Sequence, residues 1–366
     1  MANPTAAKSI DLSNLDNLIG PIALSTTGTA GTLGSVLITD NENLTQNGVW
    51  NVGTTPVTLD ARTHGISLTD SANVMGNIAI NTANGTPTSV AITEDAPITQ
   101  GSAWVLTGVP VALATSNDEA ITLAQATNIL GNLTITQNGT SGSPGAVDIV
   151  ENGAITQPAG AAGAWTTAGV TTLETTGYPI TLDSTNAGSP VNVFGPIAIG
   201  GAPSAVDISA AGNITQASSW VASSTPFTLD SGAADILLTQ TGNQLGALTL
   251  TGQNATVVEN QAAGITEGAA WDIPGTTTLT AGAANPIVLT ANPANTLGTV
   301  GVVSASNADI ATAGPVNIGT ATVSAGGTLT ISAGGAITQS GAITAPSLQL
   351  IGTGDATLND AANDVQ

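Results

Sequence analysis

Few side chains in this sequence could carry acid–base or nucleophilic chemistry, so they are weighed first. The basic residues are Lys8 and Arg62, the one histidine is His64, and there is no cysteine. Arg62-Thr63-His64 could form a small site, but it reads more readily as a residue pair on a surface turn. A lyase acting on acidic sugars needs a base to take a proton, and Lys8 and Arg62 alone offer little. A glycosidase needs two carboxylates about 5–10 Å apart. The acidic neighbours Asp40/Glu42, Glu94/Asp95 and Asp118/Glu119 all sit in turn-like stretches. One His and no Cys exclude the usual zinc sites. No Asp-x-Asp-x-Asp loop or Gly-Gly-x-Gly-x-Asp nonapeptide is present to hold calcium. A phosphate-binding Gly-x-x-x-x-Gly-Lys loop cannot be built with lysine only at position 8. The expectation is a protein with no enzymatic activity, no cofactor and no metal.

Charge narrows the partners. The formal net charge is −22, from 24 acidic and two basic residues. Phosphate neutralisation requires Lys and Arg, so nucleic acid is not an expected partner, and an anionic membrane surface is disfavoured for the same reason. No stretch is apolar for long enough to span a bilayer, so no membrane insertion is expected. Residues 1–8 show no basic region followed by an apolar core and read as a flexible N-terminal segment. The sequence reads as a piece of something longer.

The remaining conspicuous side chains are five tryptophans, and all occupy one position of a repeat. The element Ala336-Ile337-Thr338-Gln339 has near copies at Leu44-Thr45-Gln46, Ile98-Thr99-Gln100, Ile155-Thr156-Gln157, Ile214-Thr215-Gln216 and Ile265-Thr266-Glu267. Trp50, Trp104, Trp220 and Trp271 follow the Thr by five residues. Trp165 is delayed by the insertion 158–163, and Ile343 stands in the last copy. Trp50, Trp104, Trp165, Trp220 and Trp271, with Gln46, Gln100, Gln157, Gln216 and Gln339, are therefore architectural markers.

A second marker sets the boundaries: Ile10-Asp11-Leu12, Ile66-Ser67-Leu68, Ile121-Thr122-Leu123, Ile180-Thr181-Leu182, Ile236-Leu237-Leu238, Ile287-Val288-Leu289 and Ala356-Thr357-Leu358. Repeats thus start near 10, 66, 121, 180, 236 and 287, with a partial one from 356. A hydrophobic-Gly step follows each of the first six, at Ile19-Gly20, Met75-Gly76, Leu130-Gly131, Phe194-Gly195, Leu245-Gly246 and Leu297-Gly298. Within a repeat, runs of three to six residues alternate with period two between turns rich in Gly, Asn and Pro. That is the pattern of short strands, and no helical spacing is sustained.

A propeller repeats at roughly 40–50 residues and closes on itself. Repeats whose length drifts suit an open stack better. The fold expected is all-β: a right-handed parallel β-helix, or β-solenoid, forming a single repeat domain over 9–366. It would hold about six repeats of ~57 residues, each of roughly three coils of about 19. At the strand spacing of about 4.8 Å, some 18 coils would run roughly 90 Å, with the Trp residues about 14 Å apart along one edge. Asn128, Asn132, Asn213 and Asn254 are candidates for amide ladders between coils.

The segments 336–344, 275–282 and 356–364 resemble the repeats of filamentous-haemagglutinin-like exoproteins, which include high-molecular-weight adhesins of the two-partner secretion type. The resemblance covers 9–366. It implies a parallel β-helix shaft exported through the outer membrane and displayed on, or shed from, the bacterial surface. The family's Asn-Pro-Asn-Gly and Asn-Pro-Asn-Leu secretion signals are not recognisable here, and no Arg-Gly-Asp tripeptide is present. The expected function is a structural shaft or filament segment whose partners are neighbouring copies or flanking repeats stacked end to end. The alternative is a module binding host or bacterial surface glycans, for which exposed Trp would be the platform. A polysaccharide-active β-helix enzyme ranks third.

Overall fold

The computed structural model describes residues 9–24, 33–139, 144–186 and 188–366. The segment 1–8, expected to be flexible, lies outside the described residues. The chain is an all-β parallel solenoid of about 16 turns. Its described residues include one 3-10 turn, Ala161–Gly163, and no α-helix. It packs as two compact units: 1–178 with 193–195, and 179–192 with 196–366.

In the first unit, each coil contributes one strand to each of two parallel sheets. One sheet stacks Ile10–Leu12, Val36–Thr39, Val57–Asp60 and Ile78–Ile80. The bridge Ile78↔Gln100 continues it to Ile98–Thr99, Ile121–Leu123, Val147–Glu151 and Thr171–Thr176. The other begins at the bridge Ile22↔Gln46 and stacks Leu44–Thr45, Gly65–Leu68, Ser89–Glu94, Val111–Thr115 and Leu133–Gln137. In Ser89–Glu94 and Leu133–Gln137 the residues alternate strictly between interior and surface. The interior receives Ile, Val and Leu in columns such as Ile66, Val90, Val111 and Leu133, each at most 1% exposed. β-branched and Leu side chains suit this geometry because each column packs like on like at one strand spacing.

The second unit follows the same plan. One sheet stacks Ile180–Leu182, Val206–Ser209, Phe227–Asp230 and Leu248–Thr251. The bridge Leu248↔Glu267 carries it on to Ile265–Thr266, Ile287–Leu289, Ala308–Thr312, Thr328–Ala333 and Ser347–Gly352. The other sheet stacks Ile214–Thr215, Asp235–Leu238 and Asn254–Val258, then the long strands Asp272–Thr280, Thr296–Ala305 and Val316–Val323. Register shifts inside the long strands turn the chain round a corner without breaking the pairing. One antiparallel pair, Thr185–Asn186 with Ser189–Pro190, forms a small excursion within 183–191.

The coil is longer than the repeat length implied. Stacked partners such as Val36, Val57 and Ile78, or Leu44 and Ile66, show that one coil takes about 22 residues, not 19. A repeat of ~57 residues is therefore about two and a half coils rather than three. Successive repeat starts must then fall on opposite sheets, and they do. Ile10 and Ile121 lie in one sheet of the first unit and Ile66 in the other. In the second unit Ile180 and Ile287 share a sheet, and Ile236 lies in the other.

The glycine of the hydrophobic-Gly step has a steric cause. A Cβ on Gly131 would lie 1.8 Å from the Val109 carbonyl oxygen, and one on Gly246 would lie 2.1 Å from that of Thr225. The backbone of the preceding coil passes directly over these positions, and only glycine admits it.

Candidate functional site: a buried Trp–Gln–Asn staple

The marker residues converge on one buried polar constellation, built anew in each repeat. Its hub is an asparagine two residues before the hydrophobic-Gly step. Asn73, Asn128, Asn243 and Asn295 are fully buried, at 0% exposure. The Oδ1 of each accepts the backbone N–H of the tryptophan from the preceding coil: Trp50 at 2.8 Å, Trp104 at 2.9 Å, Trp220 at 3.0 Å and Trp271 at 2.7 Å. Their Nδ2 groups reach forward to the next coil, to the carbonyls of Thr93, Val150, Val258 and Ala311 at 2.9–3.0 Å. One asparagine thus ties together three successive coils. Asn192 makes the same forward contact, donating to Ser209 O at 2.9 Å.

The marker glutamines complete the staple. Gln100 and Asn128 exchange two amide hydrogen bonds, 2.8 and 3.0 Å, and Gln216 and Asn243 do so at the same distances. Gln46 and Asn73 repeat the pair at 2.9 and 3.1 Å. Gln339 pairs with Asn363, whose Oδ1 also accepts from Ile343 N at 2.9 Å in the copy without Trp. Gln157 donates to Gly163 O at 3.0 Å, inside the insertion that displaces Trp165. Where Glu267 replaces Gln, it only accepts, from Asn295 Nδ2 at 2.7 Å and from Asn292 N.

All five Trp are fully buried, at 0% exposure. Each indole Nε1–H donates to a strand carbonyl one coil back, from Trp50 to Ile22, Trp104 to Ile78, Trp165 to Leu133, Trp220 to Ile197 and Trp271 to Leu248, at 2.5–3.2 Å. These carbonyls alternate between the two sheets of a unit, so the Trp residues do not line one edge as the three-coil count implied. Trp220 also stacks on Phe227 with centroids 5.5 Å apart, and Trp165 meets Phe194 edge-on at 6.4 Å. An indole buried with its N–H satisfied is a structural anchor.

A carboxylate caps the hydrophobic-Gly step from the following coil. Ile19 N donates to Asp40 Oδ1, Met75 N to Glu94 Oε2, Leu130 N to Glu151 Oε1 and Leu245 N to Glu259 Oε2, at 2.8–3.2 Å. Burial pushes the carboxyls of Glu94 and Glu151 up to about 8, against the opposing pull of the amide each accepts from. Burial raises Glu259 as well.

The residues weighed for catalysis are not brought together. Glu94 points into the core while its neighbour Asp95 faces out, accepting from Ser116 Oγ and Asn117. Asp40 is buried and caps Ile19 N and Glu42 N. Arg62 adopts φ +52 in a turn closed by Asp60, and its Nη1 bonds the Leu15 carbonyl and Asn41 Oδ1 across coils. Among the described residues no group of three or more His, Asp or Glu could hold a metal ion.

Of the ladder candidates, Asn128 is a staple hub, but the others do not bond amide to amide. Asn213 Oδ1 accepts from Asp235 N, Asn254 Oδ1 from Thr276 N, and Asn132 Oδ1 from Thr156 Oγ1. Each serves the following coil. The hub asparagines could have been found as a set, since Asn17, Asn73, Asn128, Asn192, Asn243 and Asn295 all stand two residues before the hydrophobic-Gly step.

Geometry and pattern define a β-solenoid of stapled repeats. The chain belongs to the family described as repeats of unknown function (DUF5649), which matches residues 130–195, 186–251, 244–304 and 305–366. The first match runs from the step at Leu130-Gly131 to that at Phe194-Gly195. The staples at Trp50 and Trp104 extend the same construction ahead of residue 130. No curated protein and no solved structure matches the chain.

Proposed function

We propose that this chain is a non-enzymatic structural segment, part of the shaft of a secreted, adhesin-like bacterial exoprotein at the cell surface or outside it. Its partners are flanking repeats or neighbouring copies stacked end to end. One observation carries the reading: the side chains with chemical potential are used inside the coil stack. The Trp residues are buried anchors, the Gln and Asn residues are stapled, and four of the carboxylates cap the core from within. Complete burial of the five Trp takes away the aromatic platform on which the glycan-binding alternative rested.

Immunogold labelling of intact cells of the source organism, with antibody raised against the chain, tests the reading. Label at a distance outside the cell envelope is expected. Label confined to the cytoplasm would overturn it. Saturable binding of the chain to one glycan class on an array would replace it with the glycan-module reading.

A further inference from the structure

The sequence holds four Asn-Gly pairs: Asn47-Gly48, Asn84-Gly85, Asn138-Gly139 and Asn152-Gly153. Such a pair can react with itself, because glycine has no side chain to keep its backbone nitrogen away from the asparagine carboxamide. In a folded chain the reaction depends on two hydrogen bonds, one that holds the carboxamide and one that occupies the glycine N–H. Asn47-Gly48 and Asn138-Gly139 adjoin segments outside the described residues. Asn84 and Asn152 do not, and both are exposed, so exposure does not tell them apart.

The fold treats these two pairs differently. Asn84 Nδ2 donates to Asp60 Oδ2 at 2.7 Å, and Gly85 N donates to Thr82 O at 3.3 Å. Both reacting groups are therefore held. Gly85 also lies against the preceding coil, where a Cβ would meet the Arg62 backbone carbon at 3.1 Å. The turn at Asn152 is pinned by other atoms. The Asn152 N–H donates to Asn128 O at 2.8 Å, and Gly153 O accepts from Thr175 Oγ1 at 2.8 Å. Among the described residues nothing bonds the Asn152 carboxamide or the Gly153 N–H. The coils on either side of this turn, through 123–130 and 171–178, are described in full. The electrophile and the nucleophile are thus adjacent and unoccupied, on a turn fixed at both ends.

We infer that Asn152-Gly153 is a self-modification site, at which the folded chain converts asparagine to isoaspartate and aspartate and so loosens the staple at Asn128. Gly153 N attacks Asn152 Cγ and gives up its proton to hydroxide or water. The Cγ–Nδ2 bond breaks and the nitrogen leaves as ammonia. Water then opens the cyclic succinimide at one of its two carbonyls, giving isoaspartate or aspartate. Water is the only co-reactant. The site adjoins the staple directly: Asn128 Nδ2 holds Val150 O and Glu151 caps Leu130 N on one side, and the marker strand Ile155–Thr156 begins on the other. Isoaspartate adds a methylene to the main chain between them, whereas aspartate leaves its length unchanged. The inference goes beyond the shaft reading and does not depend on it.

The test follows the full chain in mildly alkaline buffer made with heavy-oxygen water. Digestion after glutamate releases 152–174, and fragment masses locate each conversion. Asn152 is expected to gain the label and to become a substrate for an isoaspartyl methyltransferase. It should convert at least about tenfold faster than Asn84, which must first break a bond to a carboxylate. In urea the two pairs lose their surroundings and should react at like rates. Asn152→Gln, whose longer side chain closes the ring poorly, should abolish the reaction with the circular dichroism unchanged. Hydrogen exchange around 128 and 150 should be faster in the isoaspartyl fraction than in Asn152→Asp. Equal conversion of Asn84 and Asn152 in the folded chain would overturn the inference. So would a gap that persists in urea, or a folded Asn152 that stays unmodified while the unfolded chain reacts. Equal exchange in the isoaspartyl and Asn152→Asp chains would overturn the link to the staple.

Discussion

Gln100 and Asn128 lie 28 residues apart in sequence and meet in the interior through two reciprocal amide bonds of 2.8 and 3.0 Å. Asn128 also takes the Trp104 N–H and donates to Val150 O, so one side chain satisfies buried groups on three coils. Replacing it with alanine strands the Trp104 amide, the Gln100 amide and the Val150 carbonyl together. Each buried group left unpaired costs about 1–3 kcal/mol. Asn128→Ala should therefore lower the denaturant midpoint well below that of Asn132→Ala, whose side chain is exposed and bonds only Thr156 Oγ1. Hydrogen exchange should place the added opening around residues 104, 128 and 150.

The tryptophans should behave as core anchors. Trp220→Ala removes a fully buried ring stacked on Phe227 and leaves the Ile197 carbonyl without its indole donor. A loss of about 3–5 kcal/mol is expected. Trp220→Phe keeps part of the packing and loses the hydrogen bond, so its loss should be smaller. Urea titration of both variants, followed by circular dichroism, checks the order.

The glycine steps divide by what lies over them. Gly131→Ala drives a methyl into the Val109 carbonyl at 1.8 Å and should cost several kcal/mol or unfold the neighbouring coils. Gly20→Ala meets nothing among the described residues within 4 Å and should stay within about 0.5 kcal/mol of the parent. Thermal melts of the two variants side by side separate close approach from mere turn preference.

Glu94 and Glu151 should make stability depend on pH. Each has an ordinary value of 4.5, raised in the folded chain to about 8 by burial. Between these values the folded state holds protons that the unfolded state has released. Their contribution is complete below about pH 4.5 and is lost as pH rises towards 8. Glu94→Gln and Glu151→Gln should flatten this part of the pH–stability profile, measured as urea midpoints from pH 5 to 9. An unchanged slope in the double variant would show that neither carboxyl holds a proton in the folded chain.

Glu267 is the odd member of the staples, accepting from Asn295 Nδ2 but unable to donate to its Oδ1. Glu267→Gln restores the reciprocal amide pair seen at Gln100 and Gln216 and removes a carboxylate that is 7% exposed. A gain of about 1 kcal/mol, seen as a higher melting temperature at neutral pH, is expected.

What the sequence determines by itself is the local and repeated part of this protein. Period-two runs such as Leu133–Gln137 declare strands, because successive side chains must alternate between core and surface. Trp at one place in five repeats declares an architectural role, and the recurring Gly step marks the repeat, though its tight approach is seen only in the fold. What only the tertiary structure decided is which repeat meets which. The number of residues in a coil depends on how many the corners consume, and turn residues carry no period that reveals it. At about 22 residues per coil the repeat is not a whole number of turns, so Ile66 lands on the sheet opposite Ile10. The partners of Trp104, Ile78 and Asn128, come from coils on either side of it. Asn73, Asn243 and Asn295 look like ordinary turn residues in the chain. They become hubs only because closing the coils encloses them beside an amide that has no other acceptor.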